Sequence, residues 1–215
     1  GQLTTGSEEL VDFEGVLNLP VSETLAVRFA GKIQRRDGYM SNPVRDDEAG
    51  NQHAESGRLS VLWQPSDAFE STTIATYYKD DVQSATRLFM VDPSRIPAAL
   101  GPFRAILGAQ YQQTLDQLNA LGDYQFDDSS AQYSRNRVWS LQNTSEVTFS
   151  TDAFDELSLK NIVGYRDIQS RYRVNTEGSP LGVIDFPTSI DAEQFSDELH
   201  LIGVKGNFDF VGGLF

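Results

Sequence analysis

The 215-residue chain contains no cysteine, which excludes disulfide frameworks, thiolate metal sites and cysteine nucleophiles. It has no run of eighteen apolar residues, so no membrane-spanning helix is encoded. The opening residues, GQLTTGSEEL, carry neither a basic segment nor an apolar core, so no secretory signal is visible. There is no initiator methionine, as in mature proteins and in fragments. Basic residues are scarce: 17 Lys and Arg stand against 31 Asp and Glu, a net charge of -14. Such a surface repels a phosphate backbone and argues against nucleic acid as a partner. Hydrophobic residues make up only 39%, although a chain of this length has room for one large domain or two small ones.

What is present is a period of two. Val11, Phe13, Gly15 and Leu17 alternate with Asp12, Glu14 and Val16. Leu25, Val27, Phe29, Gly31 and Ile33 alternate with Ala26, Arg28, Ala30 and Lys32. The pattern returns at Leu59 to Trp63, at Leu157 to Tyr165 and at Phe195 to Leu201. Alternation of this kind predicts strands with one apolar and one polar face. The connections also alternate. Short polar ones (LPVSET, QPSDAFE, STDAFDE, VKGN) take turns with long ones at about residues 36–56, 80–135 and 174–194. Loops of more than about a dozen residues are uncommon in compact soluble domains.

A short element occurs twice, as Ser66-Asp-Ala-Phe-Glu70 and Thr151-Asp-Ala-Phe-Asp155. Asp, Ser and Thr hydrogen-bond local backbone in tight turns, and the Phe that follows is placed to anchor the next strand. Both copies are therefore expected at the same edge of an antiparallel meander. Short turns on one side and long loops on the other is the layout of an outer-membrane β-barrel. Aromatic residues near predicted strand ends suit an interfacial girdle: Trp63 beside a turn, and Tyr39, Tyr77, Tyr78, Tyr165 and Tyr172 near the long loops. The polar faces carry Arg28, Lys32, Arg58, Lys160 and Arg166, which become candidate lumenal residues able to guide an anionic ligand. Lumen wetting and charge pairing account for them equally well. From periodicity alone, a membrane barrel and a soluble all-β domain both remain open.

Longer stretches carry a resemblance. NLPVSETLAVRFAGKIQRRDGYMSNP resembles the early barrel strands of TonB-dependent outer-membrane receptors, and SGRLSVLWQPSDAFESTTIATYYKDD resembles their next hairpin. LSLKNIVGYRD is similar to a later strand of the family, with Asn161 where Ser is frequent. EQFSDELHLIG and FVGGLF resemble the two strands after that. The matches follow the family's order. The alternation gives an all-β antiparallel meander of about eight strands, and the resemblance implies that it forms part of a transmembrane barrel in the outer membrane of a Gram-negative bacterium. Receptors of this kind have a plug domain and about 22 strands. No plug-like segment or energy-coupling box is recognisable, so residues 1–215 are expected to be an internal fragment of the barrel domain.

By the same resemblance, the intact protein would take up a scarce solute such as a ferric siderophore, haem, a cobalamin or an oligosaccharide. Its partners would be outer-membrane lipid, that small-molecule or metal-chelate ligand, and the TonB energy-coupling complex acting through the missing plug. The alternatives are a soluble all-β binding module and a complete small outer-membrane barrel.

Chemistry-bearing motifs are few. No GxGxxG, P-loop or HExxH pattern occurs, so no enzyme activity and no cofactor is expected. RDDEAGNQ lacks the spacing of a calcium loop and reads as a solvated acidic loop. His53, expected in a long loop, and His200, expected on a polar strand face, form no paired motif. Leu100, Phe103, Ile106, Leu107, Tyr111, Leu115 and Leu118 fall near helical spacing, predicting one or two short helices in the second long loop, packed on neighbouring loops or acting as a lid.

Overall fold

A computed structural model describes residues 1–85, 113–114, 116–175, 178–182 and 185–215. The chain is built from antiparallel strands: β1 (Gln2–Thr5), β2 (Val11–Ser22), β3 (Leu25–Arg36), β4 (Met40–Asn42), β5 (Asp47–Ala49), β6 (Gln52–Ser66), β7 (Phe69–Ser84), β8 (Gln132–Thr148), β9 (Glu156–Asn175), β10 (Asp185–Lys205) and β11 (Phe208–Leu214). Nine of them form one sheet in the order β1-β2-β3-β6-β7-β8-β9-β10-β11, a meander in which each strand pairs with its neighbours in sequence, while β4 and β5 make a separate small hairpin. Among the described residues, no pairing joins β1 to β11, so the sheet is open.

Both DAF elements lie at the same end of the sheet as the β2–β3 turn and the β10–β11 turn, and the loops containing Gly38 and Gly178 lie at the other. The two copies differ in reach. The first is a two-residue turn between β6 and β7, whereas the second belongs to the longer connection from Thr148 to Glu156. Both Phe residues anchor as expected. Phe69 meets Trp63 edge-on at 5.4 Å, and Phe154 meets Phe210 at 5.6 Å. At the β10–β11 turn, Lys205 pairs with Phe208 across two residues and Gly206 takes φ 58°, the left-handed conformation that such hairpins require.

Nine main-sheet strands replace the predicted eight or so, and β10 begins at Asp185, inside the long connection expected at about residues 174–194; three further differences bear on the count and the boundaries. β1 is four residues long, too short to show a period. β8 has the polar residues Asn143 and Ser145 on the face where alternation calls for apolar ones. β6 begins at Gln52, so His53 is a strand residue rather than a loop residue. The long loop before it holds the β4–β5 hairpin.

Buried side chains do not lie between two layers. Among the described residues, the only other sheet is the β4–β5 hairpin, and large apolar residues of the main sheet stay open, such as Phe29 at 48% and Phe195 at 70% exposure. The soluble sandwich alternative needs a covering layer, and the described residues supply none. The buried apolar residues, Ala49, Leu118 and Phe126, gather instead at the loop end, together with buried Asn42, Thr114, Asp128, Gln132, Asn175 and Ser179. Residues 113–114 and 116–119 are helical and belong to the predicted helical segment. Leu100, Phe103, Ile106, Leu107, Tyr111 and Leu115 lie outside the described residues.

Candidate functional site

Directly paired residues in an antiparallel sheet project to the same side, so the register sorts every strand residue onto one of two faces. Val27, Phe29, Leu159 and Val163 share one face, which we call the apolar face. On it each strand carries a window of mainly apolar and small residues, interrupted by Asn143, Asn161 and Asp197: Val11 to Leu19 on β2, Leu25 to Ile33 on β3, Phe69 to Tyr77 on β7, Trp139 to Val147 on β8, Leu157 to Tyr165 on β9, and Phe195 to Gly203 on β10. Each of these spans nine residues. That on β6 (Gly57 to Trp63) spans seven, and Phe208, Phe210, Gly212 and Leu214 of β11 lie on the same face.

The windows are not level. Val11, at the loop-end limit on β2, is in register with Arg35, His53, Asp81, Arg135, Arg171 and Ser189. Phe195, the corresponding limit on β10, is in register with Tyr165, Leu141, Ala75, Leu59 and Phe29. The limit therefore descends about six residues over six strand steps. With about 3.3 Å per residue along a strand and about 4.8 Å between strands, this is a slope of roughly 35°. The turn-end limit, from Leu19 to Phe208, descends about eight residues over seven steps and gives roughly 40°. An apolar band of even height thus crosses strands that are tilted by about 35–40°, within the range of membrane barrels. Nine residues is also about the length a strand at that tilt needs to cross a bilayer core.

The other face is polar, and all five candidate residues lie on it. Arg28 pairs across strands with Ser60, Lys32 with Ser56, Arg58 with Thr76, Lys160 with Glu146, and Arg166 with Ser140. They do not converge on one point. Lys32 is tied to Asp12 at 3.1 Å, Lys160 to Glu146 at 2.9 Å, and Arg58 donates from Nε to the Ser60 hydroxyl at 3.3 Å. Among the described residues, Arg28 and Arg166 have no ion-pair partner. A shallow cleft of about 420 Å³ opens beside Gly31 and Gly57, with Glu14, Lys32, Arg58 and Tyr78 on its walls. A second, of about 350 Å³, lies at Gly164 between Arg166, Gln194 and Glu198. His200 also sits on this face, 3.3 Å from Glu198. Among the described residues, no group of three His, Asp or Glu side chains is arranged to hold a metal ion.

The loop end is closed by a clamp that the sequence did not reveal. Arg45, in the β4–β5 turn, donates to the Asp128 carboxylate, to the Asp128 carbonyl at 2.9 Å and to Asp47 at 2.7 and 3.2 Å. Gln132 donates to the other oxygen of Asp128 at 2.7 Å. Loss of hydration pushes the Asp128 carboxyl above its ordinary range, and the Gln132 hydrogen bond and Arg45 act against that rise. The Ser41 N–H donates to the Tyr124 carbonyl and the Phe126 N–H donates to the Ser41 carbonyl, so the hairpin is fastened to residues 124–128. Farther round, Arg173 grips Asp185 at 2.7 Å, and this hydrogen bond holds the Asp185 carboxyl below the usual range. RDDEAGNQ, read as a solvated acidic loop, is thus partly structural through Arg45 and Asp47.

The aromatic girdle is corrected in part. Tyr77 and Tyr165 stand on the apolar face at its loop-end limit, and Trp63 near the turn end. Tyr78 and Tyr172 point to the polar face, because a one-residue step in a strand reverses the side. Tyr39 packs in the loops, edge-on to Tyr124 at 6.3 Å. Trp139, passed over with the rest of β8, takes a girdle place, 4.9 Å from Tyr165. The signal that would have found it is its position level with Tyr77.

Fold and surface together define a class: a segment of antiparallel β-barrel wall, apolar on one side and wet on the other, with its long connections folded over one end. No family model matches the chain, and no curated protein matches it. Among solved structures it is similar to the ferric yersiniabactin uptake receptor FyuA from Yersinia pestis, with a TM-score of 0.60 and 16% sequence identity over 96% of this chain. At that identity the likeness is one of fold. The chain spans 28% of the length of that receptor chain.

Proposed function

We propose that the chain is part of the barrel wall of a TonB-dependent receptor of the bacterial outer membrane, which takes up a scarce solute such as a ferric siderophore. The observation that carries this reading is the run of mostly nine-residue windows descending across the sheet at about 35–40°. A soluble barrel wall has no reason to keep a band of constant height on its outside. The fold shared with a siderophore uptake receptor supports the same reading. In it the apolar face meets lipid, and every backbone group within the bilayer is satisfied by the neighbouring strand. The polar face with Arg28, Lys32, Arg58, Lys160 and Arg166 lines the lumen, where charge stays hydrated. The clamped loop end forms part of the outer mouth, and the plug and energy-coupling contacts belong to the remainder of the receptor.

The test compares two neighbours on β3 in the intact protein. Phe29→Arg places a charge near the middle of a window, at a cost of roughly 2–4 kcal/mol when that window faces the bilayer midplane. Arg28→Ala alters only the wet side and should cost well under 1 kcal/mol, as exposed changes generally do. Folding into lipid vesicles, followed by urea titration, should separate the two by at least about 2 kcal/mol. Equal stability of the variants would remove the lipid-facing assignment. A chain that remains fully soluble without detergent would point to the soluble module instead.

A further inference from the structure

The register also fixes what stands directly beyond the apolar band, on the same side of the sheet and toward the loop end. Two residues past the window limits the strands carry Arg35 on β3, Glu55 on β6, Lys79 on β7, Arg137 on β8, Asp167 on β9 and Glu193 on β10. At about 3.3 Å per residue and a tilt of about 35–40°, this line lies about 5 Å beyond the band. That is the depth of the lipid headgroups, a layer of roughly 5–8 Å outside the hydrocarbon core. The charges along the line are segregated. Three cations face one carboxylate on β3 to β8, and only carboxylates stand on β9 and β10. The band below divides in a similar way. Its windows on β2, β3 and β6 hold only apolar residues and glycine, whereas Asn143, which donates to Ser71 and Thr73 at 2.9 Å, and Asn161 interrupt it on β8 and β9.

The cations of this sector are incompletely paired. A cleft of about 300 Å³ opens across β3, β6 and β7, with Arg35, His53, Glu55 and Lys79 on its walls and Ile33, the last residue of the β3 window, at its band side. Among the described residues, Arg35 makes no side-chain hydrogen bond or ion pair. Lys79 keeps 55% of its side-chain exposure and lies 3.8 Å from Glu55, beyond hydrogen-bonding distance. Arg137, directly opposite Lys79 in the register, donates to the Gln169 amide at 2.6 Å and meets no carboxylate. Arg135, one row farther out, is by contrast taken up by Asp81 at 3.1 Å.

We propose that this cleft and the adjoining Arg137 bind the phosphate of an outer-leaflet lipid headgroup, with the acyl chains lying down the dry windows of β3 and β6. This rests on the barrel-wall reading above. A phosphate takes paired N–H donors from a guanidinium fork and a point charge from an ammonium, and Arg35, Arg137 and Lys79 supply both. In a chain of net charge -14 an anion is drawn in only by local charge of this kind. The carboxylates at the same depth on β9 and β10 repel it, which confines the site to one sector of the wall.

The experiment measures, by native mass spectrometry of the intact protein in a neutral detergent, the binding of diphosphoryl lipid A, of its dephosphorylated form and of inorganic phosphate. The phosphorylated lipid should bind and its dephosphorylated form should bind many-fold more weakly. Arg35→Gln with Arg137→Gln should weaken binding about 30-fold, since each basic group at an anionic lipid surface contributes about fivefold. Both side chains are exposed, so the fold tolerates the change. Glu55→Gln should tighten binding several-fold. Glu193→Gln makes the same charge change at the same depth on the acidic sector and should leave affinity as it was. Equal binding of the dephosphorylated lipid would overturn the phosphate site. Equal tightening by Glu55→Gln and Glu193→Gln would overturn it in favour of overall charge. Inorganic phosphate that displaces the lipid at matching concentration would overturn the headgroup as the ligand. A protein that binds neither lipid and stays soluble without detergent would instead sink the barrel-wall reading.

Discussion

Replacing Arg45 with Met should open the loop end while leaving the sheet intact. The guanidinium has four hydrogen bonds, to Asp128 and Asp47, and the Asp128 side chain is fully shielded from solvent. Removing one partner of a buried ion pair costs about 3–5 kcal/mol, because the other charge stays buried alone. Arg45 keeps 23% of its side-chain exposure, and Asp128 retains Gln132, so about 2–3 kcal/mol is expected here. At a factor of ten per about 1.4 kcal/mol, local opening becomes roughly 30- to 150-fold more frequent. Amide hydrogen exchange of the intact protein reads this at Ser41 and Phe126, whose N–H groups bond across the clamp. The windows of β8 and β9 should exchange as before. Arg45→Met with Asp128→Leu should recover most of the loss, since replacing both partners removes the uncompensated charge. Acid should act in the same direction. The carboxyl of Asp128 is already pushed up by burial, so its protonated form favours the folded clamp. In Arg45→Met, lowering the pH through the range just above ordinary carboxylate values should slow exchange again. Less than a threefold change at Ser41 and Phe126 on losing Arg45 would show that the clamp is not what holds the hairpin down.

The Arg173–Asp185 pair has the opposite sign. The Asp185 carboxyl is held below its ordinary range, so its stabilising effect is complete above that range and is lost as pH falls through the depressed value. Exchange at the loop-end tips of β9 and β10 should accelerate on strong acidification, and Asp185→Asn should remove that dependence. Gly50→Ala should disturb the β4–β5 hairpin. Gly50 sits at φ +85°, and a Cβ there would lie 2.4 Å from the Tyr39 ring; the expected cost is about 1–3 kcal/mol, measured by the same exchange. Gly203→Ala should displace Phe210, whose ring would lie 2.4 Å from the new methyl group. An unchanged ring environment in that variant would contradict the tight β10–β11 packing.

Much of the fold was legible in the sequence, because the strand period is two and a face that must be apolar writes itself into alternate residues. Val27, Phe29, Leu159 and Val163 were assignable to one side, and Arg28, Lys32, Arg58, Lys160 and Arg166 to the other, before any pairing was known. The alternation of short turns and long connections gave the meander and placed both DAF elements at one end. Relations between strands were beyond it. The descent of the windows by about one residue per strand depends on register, which is set by backbone pairing between segments and leaves no periodic mark on any one of them. β8 escaped for a related reason. Asn143 and Ser145 break its apolar alternation, and only pairing with Ser71 and Thr73 shows what their side chains satisfy. The Arg45–Asp128 clamp joins residues 83 positions apart, each unremarkable in a polar loop. What makes the pair matter is burial, and burial is decided only when the hairpin, residues 116–128 and the ends of the strands pack together.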